Sequence, residues 1–324
     1  MTNVRTTRVA LALGAAFSLL GAAGAVAAAP ASASAKTTVV TQGTATATVG
    51  PLVLEPTERG YLGQQAVTVR NTGTAAGYFR LLFREPVAGS FEVSDPDQFC
   101  QFNRAHTAGL QATYECQLNR IEPGAELTFQ LRFRALTGTR PYAMRTEAGR
   151  VAISDDFRYD APFSGYGRFD ALFRSANGSL LGARPYAQNT TTDTSVRLHG
   201  DEVVLTRQPD GWYRGRLTAT VRYGTDAPLN WLTVETAVPD DLAILTATDP
   251  TGGPCWRSCE VPGDGFMPGE ERTFDLLFEA APDSRPGAVA QATGMLTASW
   301  YQALPETDPA DNAVAFGVHI SDAG

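Results

Sequence analysis

The sequence predicts an all-β chain in which one sandwich-type domain occurs twice behind an export leader. Three observations predict it: a gap-free internal match, strands with a side-chain period of two, and one pair of cysteines inside each copy. No stretch beyond the leader sustains the apolar spacing of three and four that an amphipathic helix needs.

The N-terminus comes first. Arg5 and Arg8 precede an apolar run from Val9 through Leu20, and an Ala-rich stretch ends at Ala33, Ser34 and Ala35. A charged start, a short apolar core and a small-residue site make residues 1–35 a signal peptide cleaved near Ala35. The core is about a dozen residues, short of the ~20 that span a bilayer. The leader has no cysteine for lipid and no paired arginine, and no sorting tail precedes Gly324. The expected location is secreted, in the medium or loosely held on the wall, with no membrane span in the mature chain. Loss of Arg5 and Arg8 with the leader takes the net charge from −8 to −10. A net negative chain gains no counterion-release term, so nucleic acid is not an expected partner. Lys36 is the only lysine, a bias toward arginine that fits a GC-rich genome of the actinobacterial type.

The repeat sets the domains. Tyr61 to Arg70 (YLGQQAVTVR) lies over Tyr213 to Arg222 (YRGRLTATVR) without a gap. Phe79 then falls on Trp231, and Cys100 and Cys116 match Cys255 and Cys259. Pro123-Gly124 with Thr128-Phe129 matches Pro268-Gly269 with Thr273-Phe274, and Arg140-Pro141 matches Arg285-Pro286. Continuing the count puts Gly149 over Gly294 and Phe169 to Phe173 over Val314 to Val318. The boundaries follow as 37–175 for repeat 1, 176–190 for a Gly/Pro/Asn-bearing linker, and 191–320 for repeat 2.

Four cysteines in an exported chain argue disulfides, and they allow three pairings. One pair per copy selects Cys100 with Cys116 and Cys255 with Cys259. The copies differ most in length between these cysteines, so the expectation is that each pair brackets a surface loop rather than a strand. The longer staple is expected to contribute ~3 kcal/mol.

Leu127, Phe129, Leu131 and Phe133 alternate with polar residues, the period of a half-buried strand. Phe274, Leu276 and Phe278 repeat that phase, while Leu277 breaks the polar side and suggests a second packed face. Shorter strands are predicted at 66–70, 79–83, 151–153 and 217–222. Several short strands per ~130 residues, with turn residues between them, favour two tandem Ig-like β-sandwich domains over a barrel.

The run Thr68-Val69-Arg70-Asn71-Thr72-Gly73, the cysteine pair, then Pro123-Gly124 and Thr128-Phe129 resembles the conserved-repeat Ig-like domains found in tandem on bacterial surface proteins. Asp308 to Asn312 is similar to the Asp-rich turn of the related bacterial cell-adhesion domains. Tyr223-Gly224 departs from the Asn-Thr-Gly pattern in the second copy, and the first copy lacks the Asp-Asn turn. What the resemblance implies is adhesion, spacing or contact with a cell-wall, glycan or protein ligand, which is an analogy of fold rather than of site.

Catalytic chemistry has little to stand on. Only His106, His199 and His319 are available, none of them in a zincin motif, and no Gly-x-Ser-x-Gly elbow or phosphate-binding Gly-rich loop occurs. The expectation is a non-enzymatic protein with no cofactor and no metal. The alternative is an exported hydrolase using acidic loop residues. Carboxylates recur at Asp95 and Asp97, Asp155 and Asp156, Asp240 and Asp241, and Asp308 and Asp311. Calcium takes about six to eight oxygens, whereas Asp beside Pro in a turn more often accepts a local backbone bond. The candidate ligand-binding residues are Tyr159, Phe163 and Tyr166, in a stretch from Phe157 to Phe169 dense in aromatics and arginine. Exposed Tyr and Arg make binding anchors, while buried rings there would fill the core or the seam between the copies.

Overall fold

A computed structural model describes residues 36–94, 99–107, 109–158, 163–239, 242–250 and 254–322, so the expected leader at 1–35 lies outside the described residues. The described residues fall in one compact unit. The fold is all-β, with 56% of the described residues in strand and 1% in helix, and no described helix is long and apolar enough to cross a membrane.

Two separate strand systems form, each around its own apolar core. The first lobe contains β1 (Thr38–Gln42), β2 (Ala45–Val49), β3 (Leu52–Thr57), β4 (Gly60–Asn71), β5 (Arg80–Arg84) and β6 (Phe91–Ser94). It continues with β7 (Phe99–Phe102), β8 (Thr113–Gln117), β9 (Glu126–Ala135), β10 (Met144–Ser154), β11 (Ser164–Phe173) and β12 (Arg184–Pro185). The second lobe contains β13 (Thr194–Leu198), β14 (Glu202–Arg207), β15 (Tyr213–Tyr223), β16 (Trp231–Ala237) and β17 (Ile244–Asp249). Its remaining strands are β18 (Ser258–Glu260), β19 (Glu270–Ala280), β20 (Val289–Ser299) and β21 (Ala313–Ser321).

In the second lobe one layer runs β17-β19-β15-β13 and the other β14-β21-β20-β16-β18, the first pair of that second layer parallel. The first lobe repeats the plan as β6-β9-β4-β2 and β3-β11-β10-β5-β8, with β3 parallel to β11. To this it adds β1 at one edge and β7 at the other.

Alternation explains the long strands. In β9, Phe129, Leu131 and Phe133 are buried while Thr128, Gln130 and Arg132 face outward, and β19 buries Phe274, Leu276 and Phe278 in the same phase. Leu277, which breaks the polar phase, is half-buried opposite Arg216 and Ala247. The match from Tyr61 over Tyr213 holds residue by residue: Tyr61 pairs with Ala135 as Tyr213 pairs with Ala280, and Gly63 with Phe133 as Gly215 with Phe278. Both glycines are needed for close approach. A Cβ on Gly63 would meet the Val53 carbonyl oxygen at 2.4 Å, and one on Gly215 would meet that of Val204 at 2.4 Å. Each Pro-Gly turn is tied back alike, with Gly124 N–H donating to the Asn71 carbonyl and Gly269 N–H to that of Tyr223.

Three expectations are corrected. The two disulfides pair as the repeat selects, but Cys100 and Cys116 themselves lie in strands on either side of the connection 103–112. They are directly opposed on β7 and β8, because the long insert folds back into a strand and a short 3-10 turn at Arg104–His106. Cys259 likewise sits in β18. Second, Phe79 is buried and Trp231 exposed, so they are not equivalent. Cys116 opposes Leu81 and Cys259 opposes Val234, which sets Phe79 over Leu232 and the exposed Tyr78 over Trp231. Third, the same register sets Gly149 over Ala292 and Phe169 over Phe316, since Gly149 pairs with Phe169 and Ala292 with Phe316. The count fails because the connections differ in length: Arg140 to Gly149, which includes a bulge after Thr146, is two residues longer than Arg285 to Ala292, and Gly149 to Phe169 is four residues shorter than Ala292 to Phe316. A two-residue slip leaves every side chain on its own face, so alternation cannot expose it.

The stretch 176–190 is tied to both lobes at several points. β12 pairs with β10, and the Gln188 amide bonds both backbone groups of Ala88 and the Asp226 carbonyl. Asp226 accepts from Thr137, Tyr186 and Asn189. The insert of the first lobe also reaches the second: Phe102 stacks on Tyr301 at 3.8 Å, and the Trp300 indole donates to the Leu110 carbonyl.

Candidate functional site

The candidate site lies on the outward face of the layer β5-β10-β11, opposite the core of the first lobe. Its apolar part is Leu82 and Ala152, which point away from that core and are covered by Phe163. Phe163 is 7% exposed, so of the predicted binding residues it serves packing rather than contact. The Arg80 guanidinium lies 4.7 Å from its ring, and the His106 ring meets it edge-on at 5.7 Å. Arg80 is itself buried. It makes a two-pronged pair with Glu115 at 2.6 and 3.1 Å, and Asn103 donates to the same carboxylate at 2.7 Å. A buried pair of this kind is tolerable only because the remaining donors are also satisfied, and Arg80 completes the set by donating to the Arg158 carbonyl.

Tyr159 lies outside the described residues. Tyr166 is 48% exposed. It lines a cavity of about 150 Å³ with Leu82, Arg84, His106, Thr113 and Arg150.

Beside this cavity the ladder places three arginines in one row. Arg84 on β5 opposes Arg150 on β10, which opposes Arg168 on β11. Residues directly opposed share a face, so all three lie on the outward side. Arg150 and Arg168 are exposed and Arg84 half-buried. Among the described residues none of the three has a carboxylate within 4.0 Å, whereas Arg80 and Arg145 on the same strands do. Gln111 accepts from one Nη of Arg84, while its Nε is buried without a partner. Burial, and then the neighbouring Arg150 cation, lower the Arg84 pKa from its ordinary value. In the second lobe the equivalent row is Ala237, Thr293 and Ala315, joined by the same ladders.

Reading along the chain missed this row because its members lie on three strands. The signal was present in the repeat, but only a correct register sets Arg84 over Ala237. A groove of about 480 Å³ between the lobes also carries cations, yet Arg59 is paired there with Glu270 and Arg134 with Glu92.

Of the residues weighed for catalysis or metal, His106 lines the cavity beside Tyr166. His199 shares a hydrogen bond with Thr220 at 2.7 Å, and His319 lies in β21. Asp155 accepts from Thr44 and Asp156 from Arg158, whose guanidinium holds its carboxyl down to about 2. Asp308 accepts from the Ala310 N–H as a turn residue. Asp95, Asp97, Asp240 and Asp241 lie outside the described residues. No group of three or more His, Cys, Asp or Glu capable of holding a metal occurs among the described residues.

No protein-family model matches the chain, and no curated protein matches it. Among solved structures, a crystal structure of red sea bream transglutaminase aligns over 83% of this chain and 31% of that chain, at 13% identity and a TM-score of 0.20. The chain thus spans about a third of that protein. A likeness at that score carries no argument about fold or activity.

Proposed function

We propose that the chain is a secreted, non-enzymatic tandem Ig-like protein that binds a cell-surface or wall component through the outward face of its first lobe. The observation that carries this reading is the row Arg84, Arg150 and Arg168, which no carboxylate among the described residues pairs, beside the exposed Tyr166 on a scaffold whose second copy has Ala237, Thr293 and Ala315 there. Arginine and tyrosine are the residues that most often anchor interfaces, and a rigid sheet holds them in fixed relative positions.

Strand order supports the Ig-like part. The layer β13-β15-β19-β17 has the order of the A-B-E-D sheet, and β16-β20-β21 that of C-F-G. The first lobe's disulfide departs from that type, since it joins the neighbouring strands β7 and β8 of one layer rather than bridging the two layers. Export is supported by the leader and by two disulfides, which persist in oxidising compartments.

Purified protein incubated with intact cells and isolated walls is expected to co-sediment, and Tyr166→Ala is expected to weaken retention several-fold. Absence of retention would overturn the reading. So would turnover of generic glycoside or peptide substrates that is lost on changing an acidic pair such as Asp155 and Asp156.

A further inference from the structure

Resting on that binding reading, we infer that the arginine row recognises an acidic glycan, an extended chain of sugars bearing carboxylates. Neighbouring strands lie ~4.8 Å apart, and like charges directly opposed across a ladder destabilise it. Three arginines in succession are therefore unfavourable in the free protein, and no described carboxylate offsets them. A ligand with negative groups at matching intervals removes the repulsion and gains charge-assisted bonds. The guanidinium fork suits carboxylates through two parallel N–H donors, which a lysine could not reproduce.

Other features narrow the ligand. The cavity beside the row, about 150 Å³, is well below the ~300–1,000 Å³ of pockets that enclose a whole small ligand. It accepts one unit, and the remainder lies along the open row across β10 and β11. Arg84 is ordered in advance: Gln111 holds one nitrogen and its Nε is already buried, which lowers the entropy cost of binding. The floor is Leu82, and the rim carries the exposed rings of Tyr166 and His106. An apolar floor with a flat ring suits the face of a sugar. A glycerol-phosphate chain would satisfy the charges and leave the ring without a partner.

The test is titration of the purified chain with polygalacturonate, with neutral dextran and with a glycerol-phosphate polymer, alongside sedimentation with walls. The wild type is expected to bind polygalacturonate and not dextran, with affinity falling on added salt at a log–log slope of about −2 for three contacts. The variant R84A/R150T/R168A, which installs the second lobe's row, is expected to lose at least about tenfold in affinity with no fall in melting temperature. Arg150→Lys is expected to retain part of the binding. Undiminished binding by the triple variant would overturn the inference, as would preference for the glycerol-phosphate polymer. Retention on walls without binding to polygalacturonate would end the acidic-glycan assignment and leave the wider reading standing. Failure to bind either would end both.

Discussion

The two lobes share a frame and differ in what the frame carries. Both place a tyrosine opposite an alanine, a glycine opposite a phenylalanine, and a strand crossing that allows no Cβ at Gly63 or Gly215. Yet the charged side chains buried among the described residues, Arg80, Glu85 and Glu115, all belong to the first lobe, and the second buries only threonines as polar groups. The outward arginine row is likewise confined to the first lobe. The first lobe also alone carries the long insert, whose residues Asn103, Gln111 and Ala112 hold Glu115, Arg84 and Glu85 in turn. Polar burial and insert thus come together. The difference separates what the fold requires of any copy from what one copy has added to it.

The shared frame can be broken most severely at the glycines. Gly63→Ala and Gly215→Ala are each expected to cost ~3 kcal/mol, because a methyl group at 2.4 Å from a backbone carbonyl forces a strand to move. Chemical denaturation of the two variants should show near-equal losses. A clear inequality would mean that the crossing is not equivalent in the two lobes.

The difference between the lobes is sharpened by pH. Glu85 accepts backbone N–H groups from Gly89, Phe91 and Ala112, yet burial outweighs these bonds and pushes its carboxyl from 4.5 up to about 7. The folded state therefore holds this proton more tightly than the unfolded chain does. Its contribution is complete below about pH 4.5 and is lost as pH rises to about 7, by roughly 3 kcal/mol in all. Denaturation midpoints across that window should carry this slope in the parent protein and lose it in Glu85→Gln. A parent protein with no such slope would contradict the assignment.

Much of the frame was legible because it rests on short-range rules. Period two marked β9 and β19, Pro-Gly marked their entry turns, and the gap-free match from Tyr61 to Arg70 marked β4 and β15. What failed were long counts. Connections of unequal length before β10 and before β11 shifted Gly149 and Phe169 by two positions in opposite directions, and the unequal connection before β5 moved Phe79 by one. The one-residue error was visible in principle, since it sets a core ring over the exposed Trp231. The two-residue error was not, because every residue kept its side of the sheet. The site suffered most from this. Tyr166 and Phe163 were singled out together by their local neighbourhood, because an aromatic there reads the same whether it caps Leu82, as Phe163 does, or faces solvent, as Tyr166 does. Arg84, Arg150 and Arg168 come together only through ladder register, and no local rule carries that.

The smallest expected effects bear most directly on the arginine row. Moving the row to the other lobe, as A237R/T293R/A315R, should create a second binding position and raise the number of polygalacturonate sites per chain, because the ladders Ala237-Thr293-Ala315 and Arg84-Arg150-Arg168 are geometrically alike. The transplanted row lacks the Gln111 brace and the cavity, so its affinity should be the weaker of the two. Stability should move oppositely at the two places. Arg150→Thr in the first lobe removes the central member of a like-charged row and installs a residue that strands favour, which should raise stability by up to ~1 kcal/mol. Thr293→Arg made alone, with alanine still on either side, should change it little. Added salt should shrink the gain from Arg150→Thr, because screening already weakens repulsion between exposed charges. A gain indifferent to salt would assign it to strand preference, and the row would then carry no repulsion for a ligand to relieve.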